Sequence, residues 1–312
     1  MKKLITILVA EIISVKRKRL VCASLYLMSC LISVSAQVKL SFNPASDTKY
    51  EYQMEAIQNI KQNVMGQEMP METEMKGTYL MEIRDKTSQE IHAQLTYQGF
   101  TFLVSSPMMN IRYDSKNLIE NSSEMDKMFE KMFSTLIGKP FTVIFAPDGS
   151  VKSVNGMGSI IKNMLDAISA DGQVAAQMGT QMSQQFSDEA MKNMFEQSFN
   201  FYPDNAVKVG DSWNMENMIP MNNMNLSTKS KYTLKEFSAK MATIEVAGDI
   251  VMAMGEGTFA GTQAGTMIVD STTGLPVTSD ISQNMKGTVK AQGMDIQMEM
   301  ISKSKISVKE IR

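Results

Sequence analysis

One stretch, Tyr50 to Ile83, constrains the fold more than any other part of the sequence. Apolar residues alternate with polar ones on both sides of Met65-Gly66-Gln67. A period of two is typical of β-strands with one buried face, and a glycine-containing turn joins two such strands into a hairpin. The apolar positions are Tyr50, Tyr52, Met54, Ala56, Ile60 and Val64 before the turn and Met69, Met71, Met75, Tyr79, Met81 and Ile83 after it. Because so long a hairpin needs a cover for its apolar face, the sequence predicts a large antiparallel sheet.

The other end of the chain has a similar hairpin, from Pro276 to Val308. A shift of 225 residues aligns the two hairpins without a gap. The identical pairs are Gln58/Gln283, Asn59/Asn284, Lys61/Lys286, Val64/Val289, Gln67/Gln292, Met69/Met294, Glu74/Glu299 and Met75/Met300. Two interpretations stay open, an internal duplication and convergence on one amphipathic strand pattern. In both cases we expect the hairpins to lie in one curved sheet that approaches a partial barrel.

Between the hairpins, the spacing of apolar residues changes to that of helices. The first helix, over 125–136, is expected to begin at Ser122 or Ser123 and to stop at Gly138. Further helices are predicted around 160–168, over 174–186 and after Ser187. The apolar stripes of the first, second and fourth are Met125, Met128, Phe129, Met132, Phe133 and Leu136; Ile160, Ile161, Met164, Leu165 and Ile168; and Met191, Met194, Phe195 and Phe199.

Short strands and turns complete the middle of the chain. The alternation reverses its phase at Gly99, which predicts a β-bulge. Pro147-Asp148-Gly149 is a turn signature between two short strands, and Trp213 is expected to anchor a strand to the core. The glycines at 255, 257 and 261 are expected to loosen the chain before a short strand at Met267 to Asp270.

These patterns predict an α+β fold for residues 37–312. It consists of a large curved antiparallel β-sheet or partial barrel, with a helical insert at about residues 121–200 packed on one side. No Pro-, Gly- or Ser-rich linker divides this stretch, so we expect a single β-rich domain.

Residues 1–36 are predicted to be a secretory signal peptide. Basic residues at Lys16 to Arg19 precede an uncharged run, and Val34-Ser35-Ala36 favours cleavage after Ala36. This predicts a periplasmic or extracellular protein. Two alternatives stay open: a loose lipobox at Leu27 to Cys30 would make Cys30 a lipid anchor close to a membrane, and the run could be retained as a short membrane span.

Cleavage after Ala36 would change the chemistry of the chain. Cys22 and Cys30 both precede the cleavage point, so we expect neither a disulfide nor a thiolate metal ligand. Removing six basic and one acidic residue from 31 and 33 leaves 25 basic and 32 acidic residues, a net charge of −7. Such a chain is not expected to bind nucleic acid. The sequence assigns no oligomeric state.

Methionine is unusually common, with 31 residues. Met215, Met218, Met221 and Met224 recur every third residue, and clusters of soft thioether ligands bind Cu(I). These four are the candidate metal ligands, and no organic cofactor is predicted. The single histidine, His92, falls on the polar phase of its strand and is expected to be solvated. The alternative is that methionines fill the core as flexible hydrophobic residues.

A concave, methionine-lined sheet also favours a cavity for an apolar small molecule or lipid. Gln58, Gln62 and Gln283 fall in the apolar phase of their strands and are predicted to line the polar part of such a cavity. The alternative is that the helices cover the sheet and leave no cavity.

Signatures of enzymes are missing from the sequence. It contains no G-x-S-x-G, H-E-x-x-H, P-loop or dinucleotide fingerprint, and one histidine leaves few nucleophile–base pairs. Asp148, Asp211 and Asp270 lie at turns, where backbone hydrogen bonds account for them. We therefore predict no catalytic residue, while a two-carboxylate hydrolase stays open as an alternative.

Two motif regions carry a resemblance to a known family. They are Gly138 to Val143 with Pro147 to Val151, and Phe201-Tyr202-Pro203 with Val209 to Trp213. In these the chain resembles an uncharacterised family of secreted Bacteroidota proteins, which has no assigned activity. The resemblance implies export and assigns no residue a role.

Together, these features favour a non-enzymatic cell-envelope protein that binds an apolar or lipid-like ligand. The alternatives are a structural or protein-interaction module of the envelope and, after it, a Cu(I)-binding protein.

Overall fold

The computed structural model describes residues 37–64, 66–117, 119–168, 187–199, 201–221, 224–255, 257–291 and 294–311. The strands in these ranges are β1 (Lys49–Val64), β2 (Gln67–Lys86), β3 (Ile91–Ser105), β4 (Asn110–Asp114), β5 (Pro140–Phe145), β6 (Val151–Asn155), β7 (Ser212–Met221), β8 (Met224–Ser238), β9 (Met241–Met254), β10 (Gly257–Asp270), β11 (Pro276–Ala291) and β12 (Met294–Ile311). The helices are α1 (Glu124–Ser134), α2 (Met157–Ile168) and α3 (Asp188–Phe199). None of these three helices is long and apolar enough to cross a membrane.

The twelve strands form one antiparallel sheet. Its order is β6-β5-β3-β2-β1-β12-β11-β10-β9-β8-β7, and β4 pairs with β3 beside this path. The sheet is open, because the edge strands β6 and β7 do not pair with each other in the described part of the chain. The predicted large antiparallel sheet with helices between its first and last strands is therefore confirmed.

The two long hairpins are neighbours in this sheet. β1 pairs with β2 on one side and with β12 on the other, so the first and last long strands lie side by side. Val64 pairs with Gln67, and Gly66 between them has a φ of 82°. Glycine adopts this left-handed conformation without steric cost, which explains its place in the predicted turn. Internal duplication and convergence both stay open as interpretations of their similarity.

The helices pack on one face of the sheet, hereafter the inner face, and enclose the main core there. Phe133 of α1 contacts the rings of Phe100 and Phe102 on β3. Phe199 of α3 contacts Phe145 on β5. α3 lies against both edge strands, β6 and β7, so the sheet curves around this helix.

Glycines on the inner face permit close contact between adjacent strands. A Cβ atom added to Gly248, Gly261, Gly265 or Gly287 would lie 1.9–2.2 Å from a carbonyl oxygen of the next strand. No side chain tolerates such a contact, so these positions require glycine and allow the sheet to bend sharply.

The expectation that glycines loosen the chain before Met267 is wrong. β10 is continuous from Gly257 to Asp270 and pairs with β9 and β11 along its length. Glycine removes a side chain but keeps its backbone donor and acceptor, so the hydrogen-bonded ladder survives.

Most other local predictions are confirmed. The pairing of β2 with β3 shifts by one residue between Gly99 and Tyr97, which is the predicted bulge. Ser123 caps the N-terminus of α1, and its hydroxyl accepts a hydrogen bond from the Asp126 amide at 3.1 Å. The helix ends at Ser134, before the predicted stop at Gly138. Helices also occur at the second predicted position and after Ser187. The helix predicted over 174–186 and the signal peptide at 1–36 lie outside the described residues.

Candidate apolar ligand site

The inner face carries no charge over most of the sheet. We compared the inner-facing residues of β1, β2 and β7 to β12 between the level of Tyr52 and the hairpin turns. None of those whose side chains are described is charged. In this part of the strands, the charged residues point to the outer face. Some form ion pairs there, such as Lys309 with Glu51 at 2.9 Å. A face exposed to water usually carries charged residues, so the inner face is suited to contact apolar material.

The described helices are too short to cover this face. They contain 11 or 12 residues, or about 18 Å at the helical rise. β1, β11 and β12 contain 16 to 18 residues, which is about 50–60 Å of extended chain. The helices in the described part of the chain therefore cover one end of the inner face, where they pack on the main core.

A second apolar cluster lies toward the hairpin turns. Its buried members are Ile250, Phe259, Met285 and Met300, and it is bordered by the half-buried Ile60, Leu226, Met252, Val289 and Met298. Methionine is flexible and adapts its shape to irregular apolar neighbours. The cluster thus gives the inner face a deformable apolar surface away from the helices.

A row of uncharged polar residues, hereafter the polar row, separates the second apolar cluster from the main core. It consists of Gln58, Ser302, Gln283, Gln263 and Ser230, on β1, β12, β11, β10 and β8. Gln283 Nε2 donates to Gln263 Oε1 at 3.2 Å, and Gln263 Nε2 donates to Ser230 Oγ at 2.6 Å. The second bond spans β9, where Gly248 has no side chain to block it.

A small cavity lies between α3 and the inner face. Its volume is about 120 Å³, and its lining includes Tyr52, Tyr79, Tyr97 and Met194. We call it the tyrosine cavity. Met194 is 45% exposed and marks the side of the cavity that faces solvent. The described helices therefore do not fill all the space above the sheet.

The Tyr52 hydroxyl is the notable polar group of this cavity. Tyr52 is 2% exposed and stacks on Tyr79 with a centroid distance of 4.7 Å. Its Oη is the one buried side-chain nitrogen or oxygen without a hydrogen-bond partner in the described chain. Burial raises the pKa of Tyr52, so the hydroxyl stays neutral. An unpaired buried hydroxyl costs about 1–3 kcal/mol, and a ligand that bonds it would recover part of this.

Two wider depressions lie mainly on the outer face. Their volumes are about 610 and 440 Å³. The lining of each includes an ion pair, Lys305 with Asp280 at 3.7 Å in the larger one and Lys61 with Glu68 at 3.3 Å in the smaller one. Because these groups are hydrated and paired, the outer depressions are less suited to an apolar ligand than the inner face.

The structure separates the two described members of the methionine cluster. Met215 packs against the main core, whereas Met218 is 74% exposed. They lie on one strand, β7, three positions apart, so their side chains point to opposite faces. The side chains of Met221 and Met224 lie outside the described ones, although their backbones pair with each other. The Cu(I) site stays a prediction, without support from the geometry of Met215 and Met218.

The remaining candidates have structural explanations. His92 lies on the outer side of β3, and its Nε2 is 3.1 Å from Glu90 Oε2. The described residues contain no group of three His, Cys, Asp or Glu side chains close enough to hold a metal ion. Gln58, Gln62 and Gln283 share the inner face, but none of the three lines the tyrosine cavity, and Gln62 borders the smaller of the two wider depressions. The sequence analysis missed Gln263, which shares their apolar phase, and the unpaired hydroxyl of Tyr52.

A family match spans residues 88–276, more than half of the chain. The chain belongs to the DUF6263 family. This family is described as one of unknown function, so membership assigns no activity. The DUF6263 match runs from β3 to the start of β11 and includes α3, Ser230 and Gln263. Tyr52, Gln58 and Ser302 lie outside it. No curated protein matches the chain.

Several solved structures resemble the DUF6263 chain described here. The structure "Lipid-protein interactions in lipovitellin" has a TM-score of 0.48 at 7% identity and covers 85% of this chain, which spans 25% of that one. OccK7 (OpdD) of Pseudomonas aeruginosa has a TM-score of 0.26 at 7% identity, and the match covers 85% of this chain and 100% of that one. An outer membrane channel of Pseudomonas putida F1 has a TM-score of 0.24 at 8% identity, and the match covers 86% of this chain and 97% of that one. All three TM-scores are below 0.5, so these similarities carry no functional argument.

Proposed function

We propose that the protein is a non-enzymatic binding protein of the cell envelope that holds an apolar, lipid-like molecule on the inner face of its sheet. The uncharged inner face carries this proposal, because it extends well beyond the described helices. The predicted signal peptide supports the envelope location.

Burial of apolar surface supplies the binding free energy. Met54 and Ile306 line the tyrosine cavity, and Ile281 lies between them and the polar row. All three are half-buried. A ligand that covers apolar surface gains about 25 cal/mol for each Å² removed from water. Flexible methionines in the second apolar cluster would adapt to ligands of different shape.

The chemistry of the inner face favours binding over catalysis. Its polar groups are amides and hydroxyls, which are poor general bases near neutral pH. Burial also raises the pKa of Tyr79 and Tyr97, so these hydroxyls remain protonated. From the level of Tyr52 to the hairpin turns, the described inner-facing side chains of β1, β2 and β7 to β12 offer hydrogen bonds and apolar contacts but no carboxylate or imidazole.

Native mass spectrometry of the mature protein, purified from a bacterial periplasm, tests the proposal. We expect a second population whose mass exceeds that of the chain by the mass of a lipid. As a solution test, the delipidated protein is titrated with N-phenyl-1-naphthylamine, an uncharged apolar dye whose fluorescence increases in an apolar site. A protein that carries no lipid and does not bind the dye would contradict the proposal and would instead agree with a structural or interaction module.

Cu(I) binding is tested separately. Wild type and a variant with Met215, Met218, Met221 and Met224 all changed to Leu are titrated with Cu(I). Equal binding by both proteins would exclude the predicted site, and loss of binding in the variant would establish it.

A further inference from the structure

We infer that the ligand is an uncharged amphiphile whose polar group binds to Gln58, Ser302 and Gln283. This inference rests on the proposed function, because it names the chemistry of the ligand on the same inner face. It assigns a polar subsite to part of the uncharged inner face.

The three residues form one patch at the middle of the sheet. Ser302 of β12 is directly opposite Gln58 of β1 and Gln283 of β11. Directly opposite residues in antiparallel strands have Cβ atoms about 4.5–5.5 Å apart. All three side chains are half-buried, so a ligand can reach them.

This patch has hydrogen-bonding capacity left over. Gln283 uses its Nε2 to donate to Gln263, and no hydrogen bond to its Oε1 occurs within the described chain. Gln58 Nε2 donates to Met300 Sδ at 2.7 Å, and a thioether is a weak acceptor. Ser302 Oγ likewise has no partner among the described residues. The patch therefore offers donors and acceptors to a ligand.

By contrast, Gln263 and Ser230 at the other end of the polar row are already hydrogen-bonded and buried. Gln263 is 9% exposed and Ser230 is 3% exposed, and they bond to each other. The ligand subsite is therefore confined to β1, β12 and β11. The buried pair can only hold the strands together, whereas the three accessible residues can also bind a ligand.

The absence of charge on this face selects the polar group. A carboxylate, phosphate or ammonium bound at the patch would be partly dehydrated without an opposite charge beside it, which is costly. A hydroxyl, amide, ester or sugar group needs only the hydrogen bonds that the three residues provide. The patch is therefore complementary to an uncharged polar group with both donors and acceptors.

Apolar surface next to the patch accommodates the rest of the molecule. Ala56 and Ser304 follow the patch toward the helices and have small side chains, which leaves space above them. Beyond them lie Met54 and then Tyr52 at the tyrosine cavity. From Gln58 to Tyr52 the chain advances six residues, about 20 Å in an extended strand. An alkyl tail directed toward the helices would lie along this apolar path.

Headgroup selectivity provides the test. The probes are n-octyl β-D-glucoside, octanoate and octyltrimethylammonium, which share a tail length and differ in charge. Affinities are measured by calorimetry below the critical micelle concentrations. We expect the glucoside to bind at least tenfold more tightly than either charged probe. Equal or tighter binding of a charged probe would overturn the inference.

Variants locate the subsite. Gln58→Met with Gln283→Met keeps the side-chain shape but removes four hydrogen-bonding groups, and we expect about tenfold weaker glucoside binding. Gln297→Met, on the exposed outer side of β12, is the matched control and should bind like wild type. Ser302→Ala is a smaller change, with an expected loss of about threefold. Unchanged glucoside affinity in both the double variant and Ser302→Ala would overturn the inference.

N-phenyl-1-naphthylamine separates the two possible failures. It has no sugar or charged headgroup, so we expect the Gln58→Met, Gln283→Met variant to bind it like wild type. Equal dye binding also shows that the inner face of the variant is intact. If wild type binds neither the dye nor any octyl probe, the proposed function itself fails. If wild type binds the dye but does not discriminate among headgroups, only the inference fails.

Discussion

Two tyrosine hydroxyls in the same core have opposite hydrogen-bonding states. Tyr202 Oη donates to the Gly274 carbonyl at 2.8 Å, whereas Tyr52 Oη has no partner among the described residues. We predict that Tyr52→Phe leaves the free energy of unfolding of the ligand-free protein unchanged or raises it by up to about 1 kcal/mol. Tyr202→Phe should lower it by about 1–2 kcal/mol, because the Gly274 carbonyl loses its donor. Urea denaturation measures both, and a loss above about 1 kcal/mol for Tyr52→Phe would contradict this account.

The buried carboxylate of Asp126 links stability to pH. Burial alone would raise its pKa, but hydrogen bonds from the Ser123 amide and from Arg112 outweigh burial and lower the pKa. Its contribution to stability is therefore fully present above the unfolded pKa, about 3.9, and is lost as the pH falls through the lower folded value.

We therefore predict that Asp126→Asn lowers the free energy of unfolding by about 2 kcal/mol at pH 7. The variant should also lose less stability than wild type when the pH decreases below about 4. Glu124→Gln, an exposed change in the same helical turn, is the control and should cost less than about 0.5 kcal/mol. Parallel pH profiles of Asp126→Asn and wild type would be the contrary result.

At the scale of residues, the sequence indicated which side chains share a face of the sheet but not which of them form hydrogen bonds. Alternation placed Gln58 and Gln283 on the apolar face, and the structure agrees. Alternation does not reveal that Gln263 reaches across Gly248 to Ser230, because this depends on the strand order and on the missing side chain of Gly248 on the strand between them. The unpaired state of Tyr52 Oη is likewise a property of the packed core rather than of its strand.

At the scale of elements, replacing glycine by alanine is expected to change the free energy of unfolding in opposite directions in a strand and in a helix. A Cβ on Gly261 would lie 1.9 Å from the Asn284 carbonyl oxygen, whereas a Cβ on Gly158 of α2 would meet nothing within 4 Å. We predict that Gly261→Ala lowers the free energy of unfolding by about 3 kcal/mol, because backbone atoms must move. Gly158→Ala should raise it by about 0.5–1 kcal/mol. Thermal or urea unfolding compares the two, and a neutral Gly261→Ala would show that the strands are not so close.

The same contrast explains which elements the sequence predicted well. α1 has regular apolar spacing and a capping serine, and the long hairpins have strict alternation, so local pattern was sufficient. β10 was missed as a continuous strand because its glycines interrupt the apolar pattern. Its stability comes from pairing with β9 and β11, which no local pattern records.

At the scale of the whole molecule, the separation of charge between two faces is the organising feature. The sequence indicated an antiparallel sheet with helices on one side. It did not indicate that α3 lies against both β6 and β7, because this contact joins strands far apart in the chain. Nor did it show that the uncharged face extends beyond the described helices, which requires the full strand register.

Dye binding with a negative charge placed on either face of β12 tests directly whether the inner face holds the apolar ligand. Ser304 is half-buried on the inner face, opposite Ala56, and Ser307 is exposed on the outer face. We expect Ser304→Glu to weaken N-phenyl-1-naphthylamine binding at least tenfold, because the carboxylate must stay hydrated. Ser307→Glu should bind the dye like wild type, with circular dichroism showing that both variants are folded. Equal dye affinity in the two folded variants would contradict the account.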